Sequence, residues 1–161
     1  MKKFLFVIIT VLVSTIASAQ KNFDCGLFNF QYDNTFSTSK IENAPHMLLK
    51  LSNDRCFLSF SCWDYQIDES MSIWDDYFTE IYKTQSGGNY VSLRKELVKT
   101  RSGNLRCLKI LYNLDGDIKT CNYAFINKGF LILCTIMESG KYYQDSKTPY
   151  CDKLMSGVKL K

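Results

Sequence analysis

Residues 105–137 read LRCLKILYNL DGD IKTCNYAFI NKG FLILCTIM, three apolar runs divided by two glycine-bearing turns, and this stretch decides the fold. Asp115-Gly116 is a strong two-residue hairpin signal and Lys128-Gly129 a second one, so 105–114, 118–126 and 130–137 are predicted as consecutive antiparallel strands. The last run is apolar at every position except Thr135, which requires cover on both of its faces. Working outward, Ser102-Gly103-Asn104 marks another turn, and 90–99 supplies a fourth strand before it.

Upstream, Ile73, Trp74, Tyr77, Phe78 and Ile81 recur at helical spacing opposite Asp75, Asp76, Thr79 and Glu80, and Ser72 with Asp75 resembles a capping box. This predicts an amphipathic helix over 72–83, stopped by Ser86-Gly87-Gly88-Asn89. Segments 47–52 and 55–63 form an expected hairpin about Asn53-Asp54, and 27–32 alternates as an early strand. Thr148 as N-cap and Pro149 at the first helical position open a short closing helix with Tyr150, Cys151, Leu154 and Met155, ended at Gly157, and 158–160 adds an extended segment. The fold class expected is α+β, a central antiparallel sheet of about six to seven strands flanked by the amphipathic helix and the short C-terminal helix.

The chain begins with Lys2 and Lys3, an uncharged apolar run over 4–17, then Ala17-Ser18-Ala19 before Gln20. That is the layout of a secretory signal peptide cleaved after Ala19. The run is too short to span a bilayer as a helix and lacks a basic stop-transfer flank, so no stable membrane anchor is expected after cleavage. The expected organisation is a leader, 1–19, and one globular domain, 20–161, secreted or periplasmic. Losing two lysines takes the formal net charge from +4 to about +2, with no bulk drive toward nucleic acid.

All seven cysteines, at 25, 56, 62, 107, 121, 134 and 151, fall after the leader. In an oxidising compartment they are candidates for bridges, and an odd number leaves at least one thiol unpaired within the chain. Cys56 and Cys62 lie six residues apart in one strand, about 20 Å, and so do not bond each other. A two-residue turn at Asp115-Gly116 places Cys107 and Cys121 on opposite faces. A loop of Asn127 and Lys128 sets Cys121 opposite Cys134, a candidate disulfide, whereas a loop shifted by one residue separates them.

No Cys-x-x-Cys pair, Walker loop or Gly-x-Gly-x-x-Gly run occurs, and the single histidine, His46, has no cysteine near it in sequence. No catalytic group, metal or cofactor is expected. Charge is polarised along the chain: Asp64, Asp68, Glu69, Asp75, Asp76 and Glu80 precede a basic stretch holding Lys83, Arg94, Lys95, Lys99, Arg101, Arg106 and Lys109. The basic hairpin, with Arg94, Lys95, Lys99, Arg101 and Arg106, is the candidate surface for docking another protein. Tyr142 and Tyr143, outside the strand and helix periodicity, are added as candidate contacts. The competing account is that acidic helix and basic hairpin compensate each other or stay solvated.

An early strand ending in Tyr32-Asp33-Asn34-Thr35-Phe36, a hairpin reaching Ser61-Cys62-Trp63-Asp64, a helix, a four-stranded meander and a closing helix into Leu154-Met155-Ser156-Gly157-Val158-Lys159 together resemble the PsbP-like family over most of the mature chain. Asp33-Asn34 stands where that family usually has a Pro-containing turn, and Ser156-Gly157-Val158 where Ser-Phe is common. The resemblance implies an α/β/α sandwich. It also implies a non-catalytic binding protein, since the family holds photosystem-associated subunits, a nuclear-transport cofactor, periplasmic proteins and chaperone-like adaptors. An immunity or adaptor protein is one version. The alternatives are a thiol-dependent or hydrolytic enzyme using an unpaired cysteine, and a structural envelope-associated protein.

Overall fold

The computed structural model describes residues 20–63, 72–85, 90–114, 118–139 and 148–161. The apolar runs of the meander pair as expected: β6 (Tyr90–Thr100), β7 (Gly103–Leu114), β8 (Ile118–Asn127) and β9 (Phe130–Ser139) are antiparallel neighbours. Before them in the chain come β1 (Lys21–Asp24), β2 (Phe28–Tyr32), β3 (Ser37–Thr38), β4 (Met47–Ser52), β5 (Cys56–Trp63) and the helix α1 (Asp76–Gln85). The chain closes with α2 (Pro149–Met155) and β10 (Val158–Leu160). The strands form a seven-stranded sheet ordered β3-β4-β5-β9-β8-β7-β6 and a three-stranded sheet ordered β1-β2-β10.

The early strand therefore does not join the central sheet. β2 alternates with Phe28 and Phe30 inward, and these rings meet Phe60 of β5 at 4.8 and 4.9 Å between centroids. Each ring so buried contributes on the order of 2 kcal/mol, so β2 is held by packing onto the large sheet rather than by pairing within it. Its pairing partners are β1 and β10. Gly157 makes this pairing feasible: its N–H donates to Leu154 O, its carbonyl accepts from Gln31 N, and a Cβ there would stand 2.2 Å from Gln31 O.

The two faces of the large sheet carry different cores. On one, Leu51, Leu58, Phe60, Ile132, Ile136, Tyr123 and Cys107 pack against the small sheet and against Cys151, Leu154 and Met155 of α2. On the other, Leu108, Ile110, Ala124 and Leu131 pack against Phe78 of α1 and Ile73 just before it. β9 contributes Ile132, Cys134 and Ile136 to the first face and Leu131 to the second, as its doubly apolar sequence requires.

The start of α1 falls later than the predicted 72. Asp75 Oδ2 does accept from Ser72 N at 2.8 Å, the reciprocal half of the capping box, but 72–75 turn before the helix begins at Asp76. Thr148 and Pro149 open α2 as expected, although the Thr148 hydroxyl turns to Asp152 Oδ2 at 3.4 Å instead of capping the backbone.

Two strand registers settle the cysteine geometry. Leu114 pairs with Ile118 and Leu111 faces Cys121, a register one residue away from that of a two-residue turn at Asp115-Gly116, which itself lies outside the described residues. The one-residue difference from a two-residue turn puts Cys107 and Cys121 on the same face, overturning the expectation of opposite faces. In the next hairpin the loop is Lys128-Gly129, with both residues at positive φ, so Cys121 faces Ile136 and Cys134 faces Tyr123. The candidate pair Cys121 and Cys134 is thus diagonal and unbridged. At the β6–β7 tip the turn is Arg101-Ser102, with Thr100 paired to Gly103.

Candidate protein-binding surface

The basic residues singled out in the sequence separate by what surrounds them. Lys95 Nζ donates to the Trp74 carbonyl at 2.6 Å and lies 3.3 Å from Asp76 Oδ1, while the Arg106 guanidinium sits 4.7 Å over the Trp74 ring. Both cations hold the lead-in of α1 against the sheet, so part of the acidic helix and basic hairpin do compensate each other. Arg94, Lys99 and Arg101 are exposed and have no ion-pair partner among the described residues. Tyr142 and Tyr143 lie outside the described residues.

Arg101 owes its position to the turn that carries it. Its N–H donates to Val158 O at 2.8 Å, and Leu160 N donates to Ser102 Oγ at 2.7 Å, so β10 is bonded to β2 along one edge and to the hairpin tip along the other. The tip therefore overhangs a groove of about 450 Å³ lined by Arg101, Lys153, Gln31, Tyr32, Asp33 and Tyr150 among others. Lys153 is the exposed residue of α2 that follows the sheet-facing Cys151 and Asp152. Sequence inspection missed it because nothing local links a lysine in the closing helix to an arginine 52 residues earlier.

Beneath the groove wall lies a buried polar group. Lys109, 8% exposed, pairs with Asp152 at 2.8 Å and with Glu96 at 3.4 Å, and Tyr123 donates its hydroxyl to the same Asp152 oxygen at 2.6 Å. Burial alone would lower the Lys109 pKa, but its hydrogen bond to Asp152 and the Asp152 charge outweigh that and raise it. The amine stays protonated and cannot serve as a base near neutrality. At the far end of α2, Arg55 bonds Glu138 and lies 3.7 Å over the Tyr150 ring, whose phenol is pushed up to about 12, chiefly by burial.

No two of the seven cysteines are joined in a disulfide, and Cys56, Cys107, Cys121, Cys134 and Cys151 are buried in one core. Burial pushes Cys56 up to about 11 and Cys107 up to about 12, and it raises Cys134 well above the ordinary value. Cys151 is raised first by its hydrogen bond with Cys121 and then by burial. Thiolate formation is disfavoured at each of these four positions. His46 stacks its ring on Trp63 at 4.2 Å, and its carbonyl accepts from Cys62 N at 2.8 Å.

The architecture is similar to the solution structure of cyanobacterial PsbP (CyanoP) from Synechocystis sp. PCC 6803, with a TM-score of 0.60 and 12% identity, covering 92% of this chain and 96% of that one. A crystal structure from Bacteroides thetaiotaomicron VPI-5482 aligns at a TM-score of 0.49 and 10% identity, over 84% of this chain and 45% of that one. No family model and no curated protein matches the sequence. At these identities the likeness shows the fold alone: the chain has the PsbP-like fold, with a second, smaller sheet beside the central one.

Proposed function

We propose that this is a non-catalytic binding domain, exported and processed to residues 20–161, that holds an acidic surface of another protein at the β6–β7 tip and the groove beneath it. The observation that carries this reading is the convergence of Arg101 and Lys153, from separate elements, on one groove. Arg94 and Lys99 add positive charge on opposite faces of β6, an edge strand of the large sheet. Uncompensated cations at a fixed spacing steer an acidic partner and set its register. Most of the remaining charge chemistry is spent internally, Lys109 on Asp152 and Glu96, and Lys95 on α1. The raised thiols oppose the thiol-enzyme alternative. An immunity or adaptor role is the specific version that the fold permits.

The test is capture of envelope proteins from the source cells by the wild-type chain and by the Arg101→Glu, Lys153→Glu double variant. The expected result is at least a tenfold loss of the captured partner, with wild-type capture weakening as salt rises. Undiminished capture by the folded variant overturns the surface assignment. Arg106→Glu is a poor probe here, because it also removes the contact with Trp74. Export is checked separately by cell fractionation and by N-terminal sequencing, which should begin at Gln20.

A further inference from the structure

The strand registers restrict which cysteines can meet. Cys134 is diagonal to Cys121, a separation of about 7–8 Å between residues displaced by one pair, where a bridge needs Cβ atoms about 4 Å apart. Cys107 lies four residues along β7 from Leu111, the residue facing Cys121, or about 13 Å away. Cys56 faces Glu138 while Cys134 faces Phe60, again four residues apart on one strand. Within the sheet, then, no two of these four thiols are close enough to join. The fifth, Cys151, arrives from α2, is fully buried in the same core as Cys121, and has its pKa raised first by the Cys121 side chain. Two further contacts fix α2 at the same place, since Tyr123, two residues from Cys121 on the same face, and Lys109 both bond Asp152, the neighbour of Cys151.

We infer that Cys121 and Cys151 are the site of an intramolecular disulfide that ties α2 to β8 when the chain folds under oxidising conditions. The oxidant is a small-molecule disulfide or a disulfide-bearing oxidoreductase. One cysteine, as thiolate, attacks that disulfide and forms a mixed disulfide with release of one thiol. The second then attacks the mixed disulfide, forming the Sγ–Sγ bond and releasing the other thiol. The oxidant takes two electrons, and the two cysteine protons end on its released thiols. Both sulfurs are fully buried in the folded chain, so the exchange takes place before α2 docks. The bridge fixes the helix that carries Lys153, and in that respect alone it bears on the binding groove.

The test is to refold the reduced, denatured chain in a buffer of reduced and oxidised glutathione, then count thiols in denaturant and map linked peptides by mass spectrometry. The expected result is a fall from seven titratable thiols to five, with one linked pair containing Cys121 and Cys151. Cys151→Ser should abolish the link, and Cys134→Ser should keep it. Seven remaining thiols, or a link mapped to any other pair, overturns the inference. The wild-type map decides the matter even if a serine variant does not fold, and it reads no partner binding, so it stands or falls apart from the surface assignment.

Discussion

Two single residues bear more of the structure than their size suggests. At Gly157 the backbone of the closing turn passes so near Gln31 O that an added Cβ would stand 2.2 Å from it, so Gly157→Ala must push β10 away from β2. The expected cost is about 2 kcal/mol, read from denaturant unfolding. Asp152 neutralises buried Lys109 and accepts from Tyr123 through one oxygen. Asp152→Asn keeps the shape and removes the charge, and we expect a loss of about 2 kcal/mol, below the full cost of breaking a buried pair because Glu96 remains 3.4 Å from the amine. A cost under about 0.5 kcal/mol in the same unfolding experiment would mean that Glu96 suffices. Neither residue advertises itself in the sequence. Glycine after a helix reads as an ordinary stop, and an Asp in a helix as a solvated one.

At the scale of elements, periodicity was a reliable guide wherever one segment carried its own signal. The meander strands, the 47–63 hairpin and both helices could be read from apolar spacing and turn residues, because those patterns repeat within a few positions. β1 and β3 were not legible: Lys21–Asp24 and Ser37–Thr38 lack an apolar run and exist by pairing with β2 and β4. For α1, attachment depends on Phe78 in the core and on the Lys95 and Arg106 contacts at its lead-in. Phe78→Ala should destabilise the chain by about 3 kcal/mol. Arg106→Ala should cost only about 1 kcal/mol but raise hydrogen exchange selectively within α1, since it loosens the lead-in without opening the core.

For the whole molecule, the concentration of thiols in one core gives a pH dependence with a definite sign. Cys56 and Cys107 have folded-state values of about 11 and about 12 against an ordinary 9.0, so the unfolded chain gives up these protons first. Their contribution to stability is complete below pH 9.0 and is lost as pH rises toward 11 to 12. Lys109, also raised from its ordinary 10.5, acts in the same direction, with its contribution present below that value and lost above its folded pKa. Urea midpoints of the reduced chain should therefore fall steadily above pH 9, and a flat profile to pH 11 would contradict the burial of these groups. The same core makes the native chain hard to label. Thiol reagent at neutral pH should reach Cys25 and Cys62, the two partly exposed cysteines, well before the other five.

The sequence by itself determined the order of the main strands, the two helices, the positions of the described turns to within a residue or two, and the need to cover β9 on both faces. Those features follow from side-chain periodicity and turn chemistry, which act over neighbouring residues. Only the tertiary structure decided the registers, and with them the gathering of five cysteines on one face, because a connection longer by one residue turns every side chain of a strand over. The second sheet and the groove between Arg101 and Lys153 were likewise decided by contacts between distant segments. Burial summed over the whole chain selects such contacts, and no window of the sequence contains that sum.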